Sequence, residues 1–273
     1  MEIFEFLSYG FAQRALLAGS FIAVLCSVLG VFLVLKRLSL IGDGLGHVTF
    51  GAVALSLLLK AHPLYVSIPL VMLSSLGILR LTKRARIHGD AAVGVVSSLG
   101  IAIGILLAST AEGFNIDLFG YLFGNILSIS RQEVIISMVL SVAVLFTVLF
   151  FYYDLFSITF DEDSAKASGV KTDRINTILI LLTALTVVLA MRVVGIMLVS
   201  ALLILPAVTS MQIARGFKAT MAVAVVSSLL SVIGGIFISF EFDLPTGATI
   251  VIMNFLLLIS ALAYRRLRGK LQE

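Results

Sequence analysis

Two ionisable side chains with metal-ligand chemistry stand four residues apart in an otherwise apolar stretch, Leu40-Ile-Gly-Asp-Gly-Leu-Gly-His-Val-Thr-Phe-Gly51. On a helix this spacing puts Asp43 and His47 on one face, with Gly42, Gly44, Gly46 and Gly51 thinning the backbone around them. An ionisable group far from the ends of a span costs of order 3 kcal/mol on insertion scales, so such a residue points to function. A carboxylate and an imidazole facing one point suit a borderline divalent cation. Zn²⁺ takes both donors at about 2.0–2.2 Å, and Mn²⁺ accepts the same pair with a greater preference for oxygen. The other reading of the pair is a structural Asp–His hydrogen bond that neutralises two polar groups at a helix interface. Two ligands do not complete a metal shell, which suits a site that must release its ion, and a second copy of the chain could supply a second pair. The glycines allow close helix packing in lipid and a bend beside the site.

No other residue type competes strongly. His62 precedes Pro63 in an outer turn, and His88 follows the Lys83-Arg84-Ala-Arg86 cluster, so both read as loop residues. Cys26 is the single cysteine and lies inside an apolar run, which excludes a disulfide framework and a Cys/His metal site. The motifs of hydrolytic enzymes are missing. There is no H-E-x-x-H, and Gly269-Lys270 is a lone dipeptide rather than part of a G-x-x-x-x-G-K-[ST] loop. Leu40 stands where the first glycine of G-x-G-D would be, so Asp43 and Asp154 do not form the pair of an intramembrane aspartyl protease. If transport through this chain uses ATP, a partner must hydrolyse it.

The elements that would position the pair follow from composition. Of 273 residues, 60% are hydrophobic and 12% charged, against roughly 45–50% and 25% in soluble domains. Lipid is therefore the solvent for most of the chain, a single domain over 1–273, and a soluble enzyme is excluded. Apolar runs at about 15–35, 38–59, 61–79, 91–111, 134–153, 175–191, 193–214, 219–240 and 244–264 give an all-α polytopic membrane protein of nine spans. The run at 175–191 is short and only Arg192 separates it from the next. A tight outer turn or a broken, partly re-entrant pair is expected there, and the latter reduces the count to eight.

Fifteen of the 19 Lys and Arg residues fall on one set of loops, leaving Arg14, Lys60, Arg131 and Arg192 on the other. The positive-inside rule makes the richer side cytoplasmic, with the N-terminus outside and the C-terminus inside. It also accounts for the net charge of +4 without nucleic acid. Glu2 and Glu5 in place of a basic leader speak against a cleavable signal segment. Residues 112–133 contain an apolar stretch too short to span, expected as a re-entrant or interfacial segment, with an ordinary aromatic-anchored outer loop as the alternative.

The longest polar stretch, Phe160-Asp-Glu-Asp-Ser-Ala-Lys-Ala-Ser-Gly-Val-Lys-Thr-Asp-Arg-Ile175, lies in a loop at about 154–175. Asp161 can cap a two-turn helix, Glu162 and Asp163 suit its positive end and Lys166 its negative end, and Gly169 can take the left-handed conformation that stops it. By composition this is a solvated connector or a knob that docks into another protein.

In four ordered segments the chain resembles the permease subunits of the ABC-3 metal-uptake transporters, the importers of zinc, manganese and iron. These are Gly42-Asp43-Gly-Leu-Gly-His47, then Asp117-Leu-Phe-Gly-Tyr-Leu-Phe-Gly-Asn-Ile-Leu127, the loop Phe160–Gly169, and Val194-Gly-Ile-Met-Leu-Val-Ser-Ala-Leu-Leu-Ile-Leu-Pro-Ala207. The resemblance implies that Asp43 and His47 contact the transported metal, Zn²⁺ or Mn²⁺, with no covalently bound cofactor. It identifies the loop as a coupling helix in which Asp161, Ala165, Ser168 and Gly169 meet an ATPase subunit, overturning the connector reading. It also implies two permease copies in a bilayer, ABC ATPase subunits on the cytoplasmic side and a metal-binding protein outside. Many relatives carry Ser before the histidine and Pro near Phe50, whereas this chain has Gly46 and no proline there, which points to the zinc-type members. Asn125 replaces a common Asp. Two readings from other classes remain to be separated. A passive metal channel would keep working with the ATPase inactivated, and a membrane-embedded hydrolase would cleave substrate on its own.

Overall fold

The computed structural model describes residues 8–84, 88–110, 116–124, 129–191 and 193–270. Among them the chain is helical throughout, because in lipid each backbone N–H and C=O must find its partner within the segment. The helices are α1 (Gly10–Leu35), α2 (Ile41–Leu58), α3 (Pro63–Arg84), α4 (Gly89–Thr110), α5 (Ile116–Phe123), α6 (Arg131–Phe150), α7 (Tyr152–Phe160), α8 (Glu162–Ala167), α9 (Thr172–Ala190), α10 (Val199–Ile213), α11 (Phe217–Phe242) and α12 (Thr246–Lys270). A 3₁₀ turn, Ile196–Leu198, leads into α10. Nine helices among the described residues are long and apolar enough to cross a membrane: α1–α4, α6, α9, α10 with its 3₁₀ turn, α11 and α12.

The short sixth run is a full-length helix starting at Thr172, and the break expected near Arg192 follows it. The chain turns between Met191 and Gly195, where Gly195 has φ +91°, and re-enters through the 3₁₀ turn. Arg192 itself lies outside the described residues. The fifth run ends at Phe150 rather than 153. Phe151 interrupts the helix, and α7 continues to Phe160.

The helices are unequal in packing. α1 and α2 bury 72% of their most apolar windows and α9 buries 61%, whereas α3 and α4 bury 28% each and α6 and α12 33%. The first three form the centre and the others offer faces to lipid. Hydroxyls in the interior mostly bond back to their own helix, as Thr49 does to the Leu45 carbonyl at 2.7 Å and Thr183 to that of Leu179 at 2.8 Å, which satisfies them without a partner helix. Ser228 on α11 instead donates to the Ala23 carbonyl on α1 at 3.0 Å.

The segment around α5 dips into the bundle. Tyr121 and Leu122 on α5 are buried, and three glycines meet where it docks. A Cβ on Gly124 would stand 2.7 Å from the Val193 carbonyl oxygen, one on Gly195 2.5 Å from the Gly124 nitrogen, and one on Gly247 2.6 Å from the Phe123 carbonyl oxygen. This favours the re-entrant reading over an ordinary outer loop. Asn125 and residues 111–115 lie outside the described residues.

Candidate functional site

The α1–α2 turn decides where the Asp43–His47 pair sits. α1 ends in a double backbone closure, with the Leu38 N–H donating to the Leu33 carbonyl at 2.8 Å and the Arg37 N–H to that of Val34 at 3.1 Å. Arg37 holds φ +59° in this Schellman-type stop, where glycine is the usual occupant. α2 therefore begins at Ile41, three residues later than the start of the apolar run. Asp43 falls in the first helical turn rather than deep in a span, a correction to the expected depth. A first-turn carboxylate is stabilised by the helix dipole and by water, so its burden is less than that of a mid-span charge.

About 3.6 residues per turn divides α2 into three faces. Gly42 and Gly46 meet the α10 side, where added Cβ atoms would lie 2.6 Å from Leu203 Cδ1 and 3.1 Å from the Ile196 carbonyl oxygen. Gly44 and Gly51 face α4, the latter with its Cβ position 2.7 Å from the Gly100 carbonyl oxygen. Asp43 and His47 occupy the face between, which neither contact closes. Their side chains are 51% and 22% exposed. The packing glycines leave one open stripe on the helix, and the polar pair lies on it.

His47 Nε2 stands 3.5 Å from Asp43 Oδ2. That is long for an N–H···O hydrogen bond, which is about 2.7–3.2 Å. Two ligands held about 2.0–2.2 Å from one tetrahedral ion stand about 3.3–3.6 Å apart, so the pair has the separation of an edge of a coordination tetrahedron. His47 Nδ1 is buried without a hydrogen-bond partner. Among the described residues no group of three or more His, Cys, Asp and Glu side chains converges. His88 is exposed, and His62 packs its ring 5.2 Å from that of Tyr65, as expected of loop residues.

At the basic end, Asp161 caps α8, accepting from the Ser164 N–H at 2.9 Å. Gly169, at φ +89°, closes the helix, its N–H donating to the Lys166 carbonyl and that of Val170 to the Ala165 carbonyl. Glu162, Asp163, Ser164, Lys166, Ala167, Ser168 and Gly169 are exposed, while Ala165 faces inward at 4% exposure. The presented surface is thus the outer arc of the helix, and Ala165 is its anchor to this chain.

Sequence reading missed the residues that tie α8 down. The Lys36 ammonium donates to the Ile158 carbonyl at 3.2 Å, to Glu162 Oε2 at 3.2 Å and to Asn176 Oδ1 at 2.6 Å, and Asn176 Nδ2 donates to Glu162 Oε1 at 2.7 Å. Burial pushes the Lys36 pKa down, and the Glu162 carboxylate opposes that shift. The sequence marks them only by an Asn at the head of an apolar run and a lysine that positive-inside topology accounts for. A second pair, Lys83 with Asp173, joins α3 to α9 nearby.

Nine helices among the described residues that are long and apolar enough to cross a membrane define a polytopic membrane protein, and the comparisons with known proteins say which kind. The chain belongs to the ABC 3 transport family, which it matches over residues 8–265. It is 34% identical over 273 residues to a probable iron transport system membrane protein of Haemophilus influenzae, covering 97% of this chain and 98% of the relative. It is 30% identical over 267 residues to the manganese transport system membrane protein MntC of Halalkalibacterium halodurans, covering 98% and 91%. It is 30% identical over 251 residues to the high-affinity zinc uptake system membrane protein ZnuB of Haemophilus influenzae, covering 92% and 96%. The solved structure of PsaBC from Streptococcus pneumoniae in complex with Fab aligns with a TM-score of 0.85 at 30% identity, covering 95% of both chains. The chain is a multi-pass metal ABC transporter permease.

Proposed function

We propose that this permease carries a divalent metal ion past Asp43 and His47 into the cytoplasm, with zinc as the cargo. The observation that carries the reading is the 3.5 Å separation of Asp43 Oδ2 and His47 Nε2 on the open stripe of α2, a spacing that suits two ligands of one tetrahedral ion. Zinc favours this mixed nitrogen and oxygen donor set in tetrahedral geometry, whereas manganese favours more oxygen and higher coordination. Relatives named for manganese, iron and zinc support the cargo class and leave the choice to the ligands. Manganese is the second reading, favoured by the half-open Asp43 carboxylate, which leaves room for added water.

The same reading places the basic end in the cytoplasm and the N-terminus outside. Two ATPase subunits engage the exposed arc of α8, with Asp161, Ala165, Ser168 and Gly169 shaping it. A metal-binding protein delivers the ion at the α5 end, and a second permease copy faces the open stripe.

The test is initial-rate uptake of radioactive zinc and manganese by vesicles holding the complete transporter. Asp43→Asn removes charge with little change of shape, and His47→Gln removes the nitrogen ligand while keeping hydrogen-bonding capacity. Each variant should assemble normally, with stability within about 1 kcal/mol, and lose at least tenfold in rate. Wild-type rates in both would refute the assignment, and faster manganese than zinc uptake by the unmodified protein would overturn the choice of cargo.

A further inference from the structure

One side chain ties α8 to the turn that leads into α2, the helix carrying Asp43 and His47. Lys36 follows the last residue of α1, and its side chain is only 9% exposed. An ammonium has three N–H donors, and Lys36 finds three acceptors on three elements: the Ile158 carbonyl of α7, the Glu162 carboxylate of α8 and the Asn176 amide of α9. Asn176 closes the ring by donating to the other oxygen of Glu162. Every proton of the ammonium is used, and both carboxylate oxygens of Glu162 are held.

From Lys36 the chain runs into the stop at Arg37 and Leu38 and enters α2 at Ile41, itself 1% exposed. Asp43 is seven residues beyond Lys36, and His47 follows one helical turn later. The turn carries no glycine, and its closing hydrogen bonds make it a short, stiff connection. Beside it lies a cavity of about 300 Å³ whose walls include Lys36, Ile41, Val93, Glu162 and Asn176. That space leaves room for the turn to shift against α3 and α4 when its tether moves.

We propose that Lys36 is a positioning residue that transmits displacement of α8 to the α1–α2 turn, and so sets whether Asp43 and His47 hold or release the ion. The proposal rests on the reading of α8 as the ATPase-docking helix. Without Lys36, α8 keeps its own caps at Asp161 and Gly169 and its anchor at Ala165, so it can still be moved by a partner. Its displacement then no longer reaches α2. A tether that only stabilised the fold would, when cut, lower hydrolysis and transport together through loss of assembled complex. A transmitting tether separates them.

The experiment measures zinc transported per ATP hydrolysed by the complete transporter in vesicles, normalised to assembled complex. Lys36→Met preserves the apolar stem and removes the three donors, and it should lower the ratio at least tenfold. Glu162→Gln removes the charge and one of the two acceptor oxygens that the ring uses while keeping the shape of the side chain, so it should assemble well and lower the ratio two- to fivefold. Ratios within twofold of wild type in Lys36→Met, or no change in Glu162→Gln should the first fail to assemble, would overturn the role of Lys36. Spin labels at Leu40 and at Lys171 just beyond α8, both exposed, add a readout free of flux. Their distance distribution should stay narrow in the wild type when nucleotide is trapped and broaden in Lys36→Met, and an unchanged distribution counts against the proposal. Ala167→Trp on the exposed arc tests the underlying reading separately. Lost transport there with an intact ratio in Lys36→Met refutes only the tether, whereas wild-type transport in Ala167→Trp refutes the docking helix itself.

Discussion

α2 and α8 achieve fixed positions by opposite means. α2 carries four glycines and depends on its neighbours: α4 and the 3₁₀–α10 segment press against its backbone from two sides, and the polar pair is left on the remaining face with a buried histidine nitrogen unpaired. α8 is six residues long, buries only Ala165, and supplies its own stops through the Asp161 cap and the Gly169 closure. α2 is held from outside, so its own polar atoms stay available. α8 is stabilised from within, so its outer surface stays free.

That contrast can be broken at its strongest point by Gly100→Leu. The added Cβ would meet the α2 backbone, 2.8 Å from Val48 Cα and 2.9 Å from its nitrogen, and backbone cannot rotate away. We expect a loss of about 3 kcal/mol, the upper end of overpacking, seen as failure to obtain monodisperse protein in detergent. Normal yield would mean that α2 does not depend on its neighbours. A smaller effect is expected from Ala165→Trp, because an anchor can be lifted without unfolding a helix that caps itself. Thermal stability should fall by about 1–2 kcal/mol while zinc uptake falls at least tenfold. Unimpaired uptake would show that the seat of α8 is unimportant. The mildest change is Asp161→Ala, which removes a single cap worth about 1 kcal/mol. Hydrogen exchange should accelerate at the Ser164 and Ala165 amides about fivefold while α2 amides are unaffected, and protection lost equally in both regions would erase the distinction between them.

The two regions also differ in how far the sequence disclosed them. The Asp161 cap and the Gly169 stop were legible because each signal acts within a few residues, through hydrogen bonds at a separation of three to five. The number of spans was legible because lipid demands length and hydropathy, and α9 reached full length once Thr172 rather than Ile175 was its start. The depth of Asp43 was not legible, because it depends on Arg37 adopting the left-handed conformation in place of glycine. The Lys36 ring was not legible at all. It joins residues 126 and 140 positions apart, and neither a lone lysine after a span nor a lone Asn at the head of one specifies the other. The α6–α7 break at Phe151 carries no Gly or Pro and so left no mark either.

Where α5 meets the α9–α10 turn and the head of α12, Gly124, Gly195 and Gly247 bring backbone against backbone. At most tight contacts, a mutation that adds bulk on one side can be rescued by one that trims the facing side chain. Here trimming gains nothing, since the nearest partners are main-chain atoms and the one side-chain atom, Leu198 Cδ1 beside Gly247, lies farther off than the carbonyl oxygens of Val194 and Phe123. Gly124 and Gly195 also hold positive φ, at +79° and +91°, so even a distant rearrangement that opened space would leave a side chain strained. Three positions far apart in the chain therefore form one locus without second-site suppressors among the residues that touch it. A suppressor screen started from a variant at any of them should return reversions and remote global stabilisers, and no repairs at the junction itself.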